Sequence, residues 1–243
     1  MLIQRRLTVG PTCCRVTAYE YFRDQLDNLE TTEGLVRAAT AISMHALDDV
    51  DPEGVVERLR ELSRRVRQLA PSGSVPALQA NLHAVLFEEE GFFGNSEHYY
   101  NALNSYLPAV LAWRKGLPVT LALVYKAVAN GVGLDAEGLN APGHFLVRVR
   151  SLTGWMIVDP FFGGQALSRE EAYARLDRVH CAVLPRHEQF LVPATHDQWI
   201  ERMLGNLRAL FSRDRRYDDL QAMNELLNLL RSHRPQTQAA ASA

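Results

Sequence analysis

The chain has 243 residues, 47% of them hydrophobic and 22% charged, enough apolar material for one large core or a core with an added unit. A formal net charge of -2 gives no global attraction to nucleic acid or to an anionic membrane surface. No apolar run reaches the length of a membrane span, and MLIQRRLTVG lacks the apolar stretch of a signal peptide. Three cysteines, two of them adjacent, make no disulfide framework. The expectation is a cytoplasmic chain that binds neither nucleic acid nor membrane.

In chain order, Thr12 is placed to cap a helix from Cys13 to about Leu29, with Phe22, Leu26 and Leu29 buried. Thr31 or Thr32 opens a second helix through Leu35, Ala38, Ile42 and Leu47. Asp51-Pro52-Glu53 opens a third, whose stripe is Val55, Leu59, Leu62 and Val66 and whose remaining faces are crowded with arginine. A fourth is expected from Ala77 to Glu90, stopped by Gly91. Gly91 to Leu107, rich in aromatic and amide side chains, has weak periodicity and reads as a loop or a pocket wall. If it lines a pocket, Asn95, Tyr99 and Asn104 face substrate, together with Trp155. A fifth helix runs to Lys115. Gly116-Leu117-Pro118 starts a sixth that is apolar nearly all round and therefore central.

Pro142–Gly164 then reads as a hairpin around a turn at Ser151–Gly154. Pairing Arg150 with Trp155 puts Phe145, Val147, Val149, Met156 and Val158 on one face. The other carries His144, Leu146, Arg148, Arg150, Trp155, Ile157 and Asp159, so His144 and Asp159 can meet. An imidazole held by a carboxylate is the base-and-orienter part of a nucleophilic triad, although the same two residues can serve as a structural tie. Ser168–Glu171 is a capping box for a short helix. Cys181, in the apolar run Val179–Leu184, reads as core. Gln198 to Leu230 gives two amphipathic helices joined near Arg213–Tyr217. The remaining histidines, such as His83, His98 and His187, lack metal-ligand spacing, and no glycine pattern cradles phosphate, so neither metal nor cofactor is expected.

Several segments in order carry a resemblance: LFEEEGFFGN, NSYL, RKGLPVTLALVY, PGHFLVR, VDPF and RMLGNLRALF. Together they resemble the SirB-type transglutaminase-like family. The resemblance implies an α+β fold: a papain-like core with a mainly helical N-terminal half, a small antiparallel sheet and a C-terminal helical pair. It divides the chain into residues 1–192, a tetratricopeptide-like half-repeat at 193–232, and a disordered tail at 233–243. It also implies thiol-dependent acyl transfer, with His144 as base and Asp159 as orienter. The donor would be a thioester on a carrier or a peptide amide, and the acceptor an amine.

In active members the thiol opens the buried helix, where unpaired N–H groups and the helix dipole favour a thiolate. Here that place reads Gly116-Leu117-Pro118-Val119-Thr120. The thiol is then Cys13 or Cys14, at the start of the first expected helix, or the less easily activated Thr120 hydroxyl serves. Otherwise the chain is a catalytically silent interaction module. Glu88, Glu89 and Glu90 are minor candidates to orient His144 in place of Asp159.

Overall fold

A computed structural model describes residues 17–233. Nine helices and six strands are described, with three short 3₁₀ turns and one π turn between them. The N-terminal half is helical: α1 (Ala18–Leu26), α2 (Thr32–Ser43), α3 (Pro52–Leu69), α4 (Val75–His83) and α5 (Leu107–Trp113). Thr17 is extended and caps α1 through a capping box with Glu20. The helix expected from Cys13 therefore starts at Ala18, because Thr17 competes for the cap. Cys13 and Cys14 lie outside the described residues. Thr31 caps α2 and Asp51 caps α3, with Pro52 in its first turn.

The fourth helix begins at Val75, and after α4 its backbone widens into a π turn at Ala84–Glu89. That turn carries Phe87 onto the Tyr125 ring, with centroids 6.1 Å apart. The aromatic stretch after Gly91 is mostly loop. Within it, β1 (Phe93–Gly94) pairs in parallel with β2 (Lys115–Gly116).

Helix α6 (Pro118–Gly131) is buried along nearly its whole length, as its all-round apolarity requires. The main sheet is antiparallel in the order β3 (Ala136–Leu139), β4 (Leu146–Ser151), β5 (Gly154–Asp159), β6 (Gln165–Leu167). Arg150 pairs with Trp155 and Val147 with Val158, the register read from the turn. Phe145, Val147, Val149 and Val158 are buried in the main core with α6.

The opposite face is less polar than the alternation suggested. Helix α7 (Arg169–His180) covers part of it, and Leu139, Leu146, Leu167, Ala172 and Leu176 form a second, smaller core. Only the turn end, with Arg150 and Trp155, stays open. The sheet is thus held between α6 and α7.

Helices α8 (His196–Arg213) and α9 (Tyr217–His233) follow. Trp199, Met203, Leu207, Phe211, Met223 and Leu226 are buried in the same cluster as α6. Trp199 Nε1 donates to the Val119 carbonyl, 3.1 Å away, in the first turn of α6. His233, expected in the disordered tail, belongs to α9; the rest of that tail lies outside the described residues. Cys181 is a correction. It is exposed in a left-handed conformation (φ 52°) as the cap ending α7, since helix termination outweighs burial of one small thiol. No described helix is long and apolar enough to cross a membrane.

Candidate active site

Two local devices bring the imidazole and the carboxylate together. Pro142-Gly143 turns the chain just before β4, with Gly143 at φ 64° and the His144 amide donating to Ala141 O at 3.3 Å. This is the Pro-then-Gly chemistry of a tight turn. A side chain on Gly143 would collide with the His180 ring at the end of α7. Asp159 ends β5 and caps the 3₁₀ turn Pro160–Phe162, its Oδ1 accepting from Phe161 N at 3.1 Å.

His144 Nε2 donates to both carboxylate oxygens of Asp159, at 3.1 and 3.0 Å. Both side chains are buried. With Nε2–H committed to the carboxylate, a neutral imidazole keeps its basic lone pair on Nδ1. The Phe161 ring stands edge-on to His144 with centroids 5.9 Å apart, and Phe162, partly exposed, lies at 6.1 Å. Gly94 leaves the room that Phe161 occupies, since a Cβ there would come within 2.5 Å of the ring.

A third partner had no place in the sequence reading. Arg175 of α7 is buried and sets Nη1 3.2 Å from Asp159 Oδ2. Its Nη2 donates to Gln165 Oε1 at 2.5 Å, and its Cζ lies 3.8 Å from the Phe162 ring centroid. Burial pushes the guanidinium below its ordinary pKa, and the Asp159 carboxylate opposes that shift. Arg175 Nε is buried without a hydrogen-bond partner among the described residues. The available signal was its spacing: it stands three residues after Ala172, on the side of α7 that Ala172 and Leu176 bury.

The other candidates distribute as follows. Glu89 pairs with Arg65, and Glu90 accepts from Arg58 at 2.8 Å and Arg114 at 3.1 Å, so the carboxylate on His144 is that of Asp159. Asn95 Nδ2 donates to Asn104 Oδ1 at 2.9 Å, and Asn104 Nδ2 donates to the His98 carbonyl at 2.7 Å. These two amides are spent on clasping the aromatic loop. Tyr99 stands edge-on to Phe161 at 6.1 Å, one ring removed from His144. It also lines a cleft of about 670 Å³ with Tyr100, Tyr106, Arg213 and Arg216. A neighbouring pocket shares Tyr99, Tyr100 and Arg213 and extends to Leu117, the cap of α6. Trp155 sits at the turn end of the hairpin under Arg148 (4.3 Å) and Arg150 (5.4 Å), roughly 20 Å along the strands from His144.

Thr120, in the first turn of α6, is wholly buried, and its hydroxyl has no hydrogen-bond partner among the described residues. No described base is in reach of it, which speaks against this hydroxyl as nucleophile. Among the described residues no group of three or more His, Cys, Asp or Glu side chains could hold a metal ion.

A buried helix on an antiparallel sheet, with a His–Asp pair at the sheet's end, is the α+β architecture expected from the sequence. The family model of the transglutaminase-like superfamily matches residues 53–205, from α3 into α8, and the chain belongs to that superfamily. It is 36% identical over 146 residues to a UPF0162 protein of Xylella fastidiosa (strain 9a5c), covering 59% of this chain and 52% of the relative. A UPF0162 protein of Pseudomonas aeruginosa is 29% identical over 181 residues, 73% of this chain and 65% of the relative. F-box only protein 21 of Mus musculus is 30% identical over 156 residues, 61% of this chain and 24% of that protein. The chain thus spans about half the length of the Xylella relatives it matches. No solved structure matches.

Proposed function

We propose that the chain is a SirB-type member of the superfamily and catalyses thiol-dependent acyl transfer. His144 moves the proton and Asp159 fixes the imidazole. The observation that carries this reading is the buried Nε2–H to carboxylate bond, which dedicates Nδ1 to proton transfer. The thiol is that of Cys13 or Cys14, outside the described residues.

In this reading Nδ1 takes the thiol proton and the thiolate attacks the carbonyl of a thioester or amide. The leaving thiol or amine departs with that proton. An amine then attacks the acyl–enzyme while His144 accepts its proton, the amide forms, and the thiol is restored. The acyl donor is presented on a carrier or as a peptide amide. Tyr99 and the cleft beside it offer a route for the incoming partner toward Phe161 and the start of α6.

One observation favours a second reading, a catalytically silent module that uses the same cleft for docking. Thr120 occupies the turn where active members carry the thiol. Alkylation separates the two. With iodoacetamide and mass spectrometry, an enzyme labels Cys13 or Cys14 faster than the exposed Cys181, and His144→Ala slows that labelling severalfold. Equal slow labelling of all three cysteines, indifferent to His144→Ala, supports the silent module.

A further inference from the structure

We infer that Arg175 is a positioning residue for His144: it fixes the angle of the Asp159 carboxylate and limits the negative charge that the carboxylate offers the imidazole. The inference rests on the reading of His144 as the proton-moving group, and it adds how the carboxylate that orients that group is itself held.

The geometry leaves Asp159 little freedom. Its Oδ1 takes the Phe161 amide, its Oδ2 takes Arg175 Nη1, and both oxygens face His144 Nε2. Arg175 is itself fixed from three directions, by Gln165 on β6, by the Phe162 ring beneath its plane, and by the carboxylate. A planar guanidinium can span Gln165 and Asp159 at once, whereas an ammonium acts as a single point.

The same contacts set the charge balance. A lone buried carboxylate beside a histidine strongly favours the imidazolium. Here a permanent cation shares the carboxylate, inside a site that water barely reaches, so its field on the imidazole is screened little. The groups facing His144 from the surrounding elements are Asp159 at the end of β5, Arg175 on α7, and the aromatic rings of Phe161 and Phe162. His180, at the end of α7, lies against Gly143 just before His144. With Nε2–H held by the carboxylate, Nδ1 is the nitrogen left to accept a proton.

The test is ¹⁵N-imidazole NMR of the full chain at a fixed pH near neutrality, comparing wild type with Arg175→Gln and Arg175→Lys. In wild type the neutral fraction of His144 should be the Nε2–H tautomer. Arg175→Gln should raise the ratio of imidazolium to neutral imidazole about tenfold, from the uncompensated carboxylate. Arg175→Lys keeps the cation, so it should hold the ratio near wild type while shifting the Nε2 resonance, because one point cannot bridge Gln165 and Asp159. A folded Arg175→Gln variant with the wild-type ratio overturns the charge claim. An Arg175→Lys variant whose Nε2 signal is superimposable on wild type overturns the positioning claim, and this variant decides alone if Arg175→Gln does not fold. The readout needs no turnover, so a chain that transfers no acyl group can still show, or fail to show, the arginine's hold on the imidazole.

Discussion

Arg175 changes what an Asp159 substitution can report. From the hairpin alone, Asp159→Asn reads as a mild change that spoils the imidazole tautomer. Beside a buried guanidinium it also strands a cation, and losing one member of a buried pair costs about 3–5 kcal/mol. We expect Asp159→Asn to lose that much stability in chemical denaturation. The double variant Asp159→Asn/Arg175→Gln should recover a large part of it. If the single variant unfolds at the wild-type denaturant midpoint, the pair carries no structural charge balance. Thr120 gives a contrasting case. Its orphaned hydroxyl is matched in shape by valine, so Thr120→Val should raise stability by about 1 kcal/mol, measured the same way. A lower midpoint would mean that the hydroxyl has a partner after all.

At the scale of elements, what the sequence made legible was whatever is coded locally. The hairpin register could be read because a turn with its own chemistry lies between two alternating strands, and Arg150 does pair with Trp155. The caps at Thr31, Asp51 and Ser168 were legible for the same reason. Hidden were contacts made between elements. Helix α7 covers the His144 face with Leu176 and brings Arg175 to Asp159, but only the packing of α7 on β6 reveals it. Asn95 and Asn104 were expected to face substrate if their weakly periodic aromatic stretch lined a pocket, whereas nine positions apart they bond each other. Gly94 is another such contact. Gly94→Ala should drive a methyl into the Phe161 ring, costing about 1–3 kcal/mol as overpacking does, and should perturb the His144 resonances that Phe161 shields. Unchanged His144 signals in that variant would show that the ring yields without moving the site.

Over the whole molecule, three partly buried histidines contribute to how stability depends on pH. Burial is the largest cause holding His45, His83 and His196 below their ordinary pKa. Each accordingly binds its proton less readily in the folded chain than in the unfolded one. Their contribution is present above the unfolded value of about 6.5 and is lost as pH falls through the lower folded values. His45 shows how this reaches between elements. Its Nδ1 bonds the Ile42 carbonyl at 2.7 Å, while Nε2 faces the Tyr106 hydroxyl and Asp219 of α9, each at 3.3 Å. Neutral His45 accepts from Tyr106, and protonated His45 turns to Asp219. The melting temperature should therefore fall as pH is lowered from 7 to 5, and His83→Phe should flatten part of that fall. A melting temperature constant over this window would show that these rings are solvated in the fold.

The bond from Trp199 to the first turn of α6 spans 80 positions in the chain, and the one from His196 to the Leu29 carbonyl spans 167. A ribosome delivers α6 and the whole sheet well before it delivers Trp199. Until then, the gap above Gly138 and Phe145 that this indole fills has nothing to close it. Nascent chains ending near residue 195 should display an open apolar seam, be held by chaperones and bind hydrophobic dyes. Emergence of α8 and α9 from the exit tunnel is then the event that seals the first turn of α6. In this chain the first turn of α6 is thus closed by a helix made after α6 and the whole sheet.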